Sequence, residues 1–136
     1  MNQESVAKIL QEKGELRNVF AASEIESLCK YLHAESFDPL SALMRRGEPS
    51  DHMFFVLSGL VEVLNGEIQL AIHHPGDFTG ESFLGDQAIR IADVQAMQDD
   101  VMVARFSFQD FQDFLNDDQV LALKFRAYFN SIRKIR

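Results

Sequence analysis

"MFFVLSGLVEVLNGEIQLAI", residues 53 to 72, consists of short apolar runs broken by Ser58-Gly59 and Asn65-Gly66. The runs "MFFVL", "GLVEVL" and "EIQLAI" are rich in β-branched and aromatic residues and too short for helices, so each reads as a strand. Asn65-Gly66 between two alternating runs is the strongest hairpin signal in the chain. An antiparallel sheet therefore occupies the middle of the sequence.

On either side the periodicity changes. Residues 3 to 13 space Val6, Ile9 and Leu10 at helical intervals, and Gly14 stops them. "SEIESLCKYL" opens with Ser23 and Glu26 in capping-box spacing and predicts a helix to about Leu32. Two further strands are expected at roughly 89 to 97 and 100 to 107. "FQDFQDFL" and "DQVLALKFRAYFNSIRKIR" return to helical spacing. The expected fold class is α+β, an antiparallel β-sandwich or jelly roll (double-stranded β-helix) flanked by N- and C-terminal helices. The division is a helical N-terminus over 1–34, a β-roll over 35–107 and C-terminal helices over 108–136. No internal repeat, low-complexity tract or linker interrupts it. In the last helix Leu121, Phe125, Tyr128, Ile132 and Ile135 follow coiled-coil spacing. That stripe suits either a homodimer through the C-terminal helix or packing on its own β-body.

A chain of 136 residues, 46% hydrophobic and 25% charged, is sized for one globular domain. No apolar run reaches membrane-span length, and the N-terminus lacks the pattern of a secretory signal. The single cysteine, Cys29, fits a reducing compartment, so the expected location is cytoplasmic, with no membrane partner. The net charge of −8 conceals an asymmetry: residues 120–136 hold five bases and no acid, which leaves 21 acids against 8 bases before them. Such a body repels a phosphate backbone, so no direct nucleic-acid contact is expected. The basic tail reads best as complementing a helix C-terminus.

The chemistry concentrates in "PGDFTGESFLGDQAIRIADVQA", residues 75 to 96. Gly80 allows backbone amides to approach a ligand closely. A short helix starting near Glu81 would turn free N–H groups toward the same place. Arg90 offers a rigid fork of donors for two oxygens of one phosphate, each charge-assisted bond contributing roughly 1.5–3 kcal/mol. Glu81 should repel an anion, unless it accepts a hydrogen bond from a hydroxyl of the same ligand. A phosphate beside a ribose describes a nucleotide. The plainer alternative is a Glu81–Arg90 ion pair tying a loop to a strand.

The stretch resembles the phosphate-binding cassette of cyclic nucleotide-binding domains, as found in catabolite-activator-type regulators and kinase regulatory subunits. The matching residues are Gly80-Glu81 and, in "RIADVQA", Arg90, Ala92, Val94 and Ala96; "GEPSDHMFFVLSGLVEV" at 47–63 is similar to the family's strand-turn-strand signature. The resemblance covers roughly residues 20 to 135. It implies that Arg90 holds the exocyclic phosphate oxygens and Glu81 the ribose 2′-hydroxyl. Amides near Ser82, Phe83 and Ile91 would complete the cradle, with Gly80 and Ala92 lining it. It also implies a lid over the base from the last helix, with Tyr128 or Phe129 in that part. Three positions depart from the pattern. Phe83 must point outward or narrow the pocket. Ile91 has no hydroxyl to offer a guanine, which favours cyclic AMP over cyclic GMP. Asp93 could satisfy Arg90 internally, although on an extended strand the two would take opposite faces.

His73-His74, adjacent on a strand, point to opposite faces, and no metal site is expected. Ser58-Gly59 lacks the glycine of a nucleophile elbow, and Asp99-Asp100 and Asp117-Asp118 read as turns and caps. No catalytic centre, and no cofactor beyond the ligand, is expected. The reading is a non-catalytic cyclic nucleotide sensor, cyclic AMP preferred, whose final helix repacks on binding. With no winged-helix segment in the sequence, it would signal through an unidentified effector protein. The alternative is a degenerate member of the same fold, serving as a dimerisation or docking module without nucleotide.

Overall fold

The run that decides the fold, residues 53 to 57, forms the centre of a strand buried on both faces. The computed structural model describes residues 1–84 and 89–135. Two N-terminal helices, α1 (Gln3–Glu12) and α2 (Ala22–Cys29), precede eight strands: β1 (His33–Phe37), β2 (Ala42–Met44), β3 (His52–Ser58), β4 (Val61–Asn65), β5 (Ile68–His73), β6 (Phe78–Thr79), β7 (Asp93–Ala96) and β8 (Val101–Ser107). Helices α3 (Phe108–Asp117) and α4 (Gln119–Ile135) close the chain, and 3-10 turns occupy Leu16–Asn18 and Glu81–Leu84.

The strands form two four-stranded antiparallel sheets, ordered β1-β8-β3-β6 and β2-β7-β4-β5. The structure is thus the α+β sandwich with terminal helices that the sequence predicts. Alternation on β3 explains its unbroken apolar run. Met53, Phe55 and Leu57 face the helices, whereas Phe54 and Val56 face the second sheet. β8 repeats the division, with Ala104 and Phe106 toward the helices and Val101 and Val103 between the sheets. Register holds these faces together, since Phe55 opposes Ala104 and Val56 opposes Val103.

The hairpin forms as expected, with Asn65 paired to Ile68 and Gly66-Glu67 as its loop. Gly66 alone carries a positive φ, 64°, the sign pattern of a type II′ turn. A closer contact occurs where the turn after α1 crosses the turn after β5. Gly14 (φ 82°) and Gly76 (φ 95°) meet backbone to backbone there. A Cβ on Gly14 would lie 2.1 Å from the Gly76 carbonyl oxygen, and one on Gly76 would lie 2.4 Å from the Lys13 carbonyl carbon.

Two local expectations need correction, and one open alternative is narrowed. α2 starts at Ala22, earlier than the Ser23–Glu26 pattern implies, because the Glu24 carboxylate reaches back to the Ala21 N–H at 2.8 Å. The strand expected at 89 to 97 shortens to Asp93–Ala96, and Ile89 makes only an isolated bridge to Pro49. The stripe on α4 lies on its own body: Phe125 stacks on Phe20 at 3.9 Å and Leu121 is buried in the same cluster. Tyr128 and Ile132 pack against that cluster, so these residues of the coiled-coil pattern are occupied within the chain. The Ile135 side chain and the basic side chains of Arg133, Lys134 and Arg136 lie outside the described residues.

Among the acidic corners, Asp118 accepts from the Leu121 N–H at 3.2 Å at the start of α4, and Asp117 accepts from the Tyr31 hydroxyl at 2.7 Å. At α3, Ser107 and Asp110 form a complete capping box.

Candidate functional site

β6 ends at Thr79, and Gly80 turns the chain with φ 85° into the Glu81–Leu84 turn. Little space surrounds it: a Cβ there would lie 2.4 Å from Met44 Cε and 3.0 Å from Arg90 Nη1. Glycine is required at this crossing both for its φ and for the approach of the arginine. On the opposite side, the Arg90 N–H donates to the Glu48 carbonyl at 2.9 Å, and the Gly47 N–H donates to the Arg90 carbonyl at 2.9 Å. This ladder aims the Arg90 side chain back at Gly80.

Arg90 is 6% exposed and Glu81 7%. Two of the three guanidinium nitrogens donate to backbone carbonyls: Nη1 to Gly80 at 3.0 Å and Nη2 to His52. The third, Nε, is buried with no hydrogen-bond partner among the described residues. Burial pushes the Arg90 pKa below its ordinary value, and the negative charges of Asp51, Glu81 and Glu48 pull it back up. An arginine remains protonated through such opposing influences. The arrangement is thus a buried cation under the influence of three carboxylates, with one donor, Nε, left without a hydrogen bond among the described residues.

The three departures resolve differently. Asp93 does not clamp the arginine, because its Oδ1 accepts from the Arg46 N–H at 2.7 Å. Strand parity is not the reason, since Arg90 precedes β7; the Arg46 amide holds the carboxylate instead. Phe83 points inward. It is buried, edge-on to Phe106 with ring centres 6.0 Å apart, in the cluster beneath the helices. Ile91 is 74% exposed, and Ala92 is half-buried. The Ser82 side chain and residues 85–88 of the loop lie outside the described residues.

The two residues named for a lid both pack with the ring cluster in this structure. Phe129 is fully buried among Phe55, Phe78 and Phe125, and Tyr128 lies edge-on to Phe20 at 5.4 Å. Both rings serve the core because they fall on the inward stripe of α4. That helix nevertheless touches the site region, since it packs on the Glu81–Leu84 turn. His73 and His74 stand 4.0 and 3.7 Å from the Asp77 carboxylate. Sequence reasoning missed Met44 and His52. Asp51 lies in the quoted signature, but nothing in a sequence marks the carbonyl of its neighbour as an arginine acceptor.

The family described as "cyclic nucleotide-binding domain" matches residues 34–118. No match was found among curated protein sequences. Among solved structures, the N-terminal domain of a transcriptional regulator from Streptomyces coelicolor A3(2) is similar, at 22% identity and a TM-score of 0.76, covering 93% of this chain and 94% of that one. The c-di-GMP-responsive global regulator CLP of Xanthomonas campestris is 19% identical, TM-score 0.69, with 82% of this chain and 56% of that one covered. The regulatory domain of Toxoplasma gondii PKA, solved with cAMP, is 22% identical, TM-score 0.70, with 93% and 50% covered. The chain thus spans about half the length of the last two. The fold is a β-roll flanked by helices. The chain belongs to the cyclic nucleotide-binding domain family.

Proposed function

We propose that this domain senses a cyclic nucleotide in the cytoplasm, with cyclic AMP preferred, and does no chemistry on it. The buried, unpartnered Nε of Arg90 carries the reading, because a phosphate oxygen would satisfy it. Arg90 would hold the exocyclic phosphate and Glu81 the ribose 2′-hydroxyl. The amides of Ser82, Phe83 and Ile91 would complete the cradle beside Gly80 and Ala92. Drawing Nη1 and Nη2 off the Gly80 and His52 carbonyls would release the Glu81–Leu84 turn, on which α4 packs. Ligand would in that way bias the position of the last helix and be read by a partner protein. Ile91 offers a guanine no hydroxyl, which favours the adenine nucleotide.

One observation favours the rival, a docking module without nucleotide: the two terminal nitrogens of Arg90 already have acceptors. Titration calorimetry with cyclic AMP and cyclic GMP decides between them. Micromolar cyclic AMP binding that disappears in Arg90→Leu supports the sensor. No heat from either ligand with folded protein counts against the sensor and favours the docking module.

A further inference from the structure

Three connections meet at the end of the sandwich away from Arg90: residues 38–41 between β1 and β2, 59–60 between β3 and β4, and 97–100 between β7 and β8. The Leu40 N–H donates to the Met97 carbonyl and the Met97 N–H to the Leu60 carbonyl, both at 3.0 Å. The Ala96 N–H donates to the Ser41 carbonyl at 2.9 Å. Gly59 (φ 80°) comes so close to the third connection that a Cβ on it would lie 2.6 Å from the Asp100 carbonyl oxygen. β3 sets the separation from the cassette. It starts at His52, whose carbonyl accepts from Arg90, and ends at Ser58, roughly 20 Å further along.

These connections are acidic and apolar at once. Asp38, Asp99 and Asp100 are exposed, and no base accompanies them in the three segments. Leu40 is 64% exposed and Leu60 38%. Leu40 also has φ 65° and follows Pro39 in a turn closed by the Ser41 N–H on the Asp38 carbonyl at 3.1 Å. That is the sign pattern of a type II turn, whose third position ordinarily takes glycine or asparagine. A leucine there is strained and gains little from burial. Beside it a cleft of about 360 Å³ opens at the ends of β1, β3 and β8. Phe37, Val101 and Met102 supply its apolar lining, and Asp38 and Asp100 its charge.

We propose that this end of the sandwich docks a basic, apolar segment of a partner protein. A lysine or arginine of that segment lays its stem along Phe37 and Met102 and its charge against Asp38 and Asp100. Aliphatic neighbours of the same segment cover Leu40 and Leu60. Charge complementarity selects this occupant: long cationic side chains bury their methylenes on apolar walls and keep their heads on polar groups. An acidic segment, a phosphate backbone or an anionic lipid surface would meet three carboxylates with no base between them. The hydrogen bonds among the three connections hold the surface preformed, so little ordering opposes binding. The surface lies apart from the cassette, and the proposal stands whether or not nucleotide binds.

Fluorescence anisotropy with a labelled peptide of alternating leucine and arginine provides the test. The peptide should bind saturably, whereas versions with glutamate for arginine or glycine for leucine should not. Asp38→Asn combined with Asp100→Asn should weaken binding about tenfold. Leu40→Gly should weaken it about threefold, without lowering the thermal midpoint, because glycine accepts a φ of 65°. Glu12→Gln combined with Glu67→Gln makes the same charge change at exposed positions outside the three connections and should leave affinity unchanged. Sedimentation velocity of the protein alone should not distinguish wild type from the double aspartate variant. Self-association that this variant abolishes would assign the surface to the basic 120–136 stretch of a second copy and overturn the proposal. Absence of peptide binding would overturn it as well. So would equal weakening by the two double variants, which would reduce the effect to attraction by net charge.

Discussion

The face of β3 that meets the helices and the face that meets the second sheet are packed with different materials. Nine of the twelve phenylalanines lie in the cluster beneath the helices, where rings contact one another from Phe20 through Phe125 and Phe129 to Phe55 and Phe78. Between the sheets the filling is aliphatic and small, with Val56, Val61, Val94, Ala96 and Val103 around Phe54. Large rings bury more area per residue and fix the helices firmly. The smaller side chains leave the rim of the sandwich to Met44, Gly80 and Arg90. The Glu81–Leu84 turn belongs to both regions: Phe83 and Leu84 sit in the ring cluster, while the charge of Glu81 acts on Arg90. One turn therefore links the stiff half of the molecule to the half that carries the cation.

That contrast can be broken by mutation. Phe129→Ala should cost about 3–5 kcal/mol in urea unfolding, against about 2 kcal/mol for Val56→Ala; equal losses would erase the distinction between the two cores. Next, Gly80→Ala should cost about 1–3 kcal/mol for its left-handed backbone. The larger result should appear in calorimetry, as weakened cyclic AMP binding, because the new methyl meets Met44 Cε and Arg90 Nη1. Ser107→Ala removes the cap of α3 and should lower stability by about 1 kcal/mol without affecting ligand.

The smallest effect concerns the tie between α2 and α4. The Lys124 ammonium, 2.8 Å away, and then the Ala21 N–H hold the Glu24 carboxyl below its ordinary value. A depressed folded-state pKa gives stability that is present above the ordinary glutamate range and is lost as pH falls through the folded value. The gap in thermal midpoint between wild type and Lys124→Ala should therefore narrow on acidification. A gap independent of pH would mean that the lysine acts through its packing over Phe20.

What the sequence revealed follows from how local each cause is. The hairpin is legible because Gly66, between two short apolar runs, sets its turn locally. β3 is legible because burial on both faces leaves an unbroken apolar run. Gly80, Glu81 and Arg90 stand out by residue type. The direction of Phe83 is not legible, since it depends on Phe106, distant in sequence, offering a ring edge. The same holds for Asp93, whose partner is an amide at Arg46. The inward stripe of α4 shows the limit of periodicity: the spacing identifies an apolar face and not what covers it.

The touching backbones at Gly14 and Gly76 restrict how this protein can diverge. Both residues are already the smallest available, so a methyl added at one cannot be relieved by trimming the other. The two positions should be intolerant separately and together, and a deep mutational library should contain no compensating pair for them. The attachment of α1 to the roll works as a lap joint with zero clearance, which descendants keep whole or lose along with the leading helix.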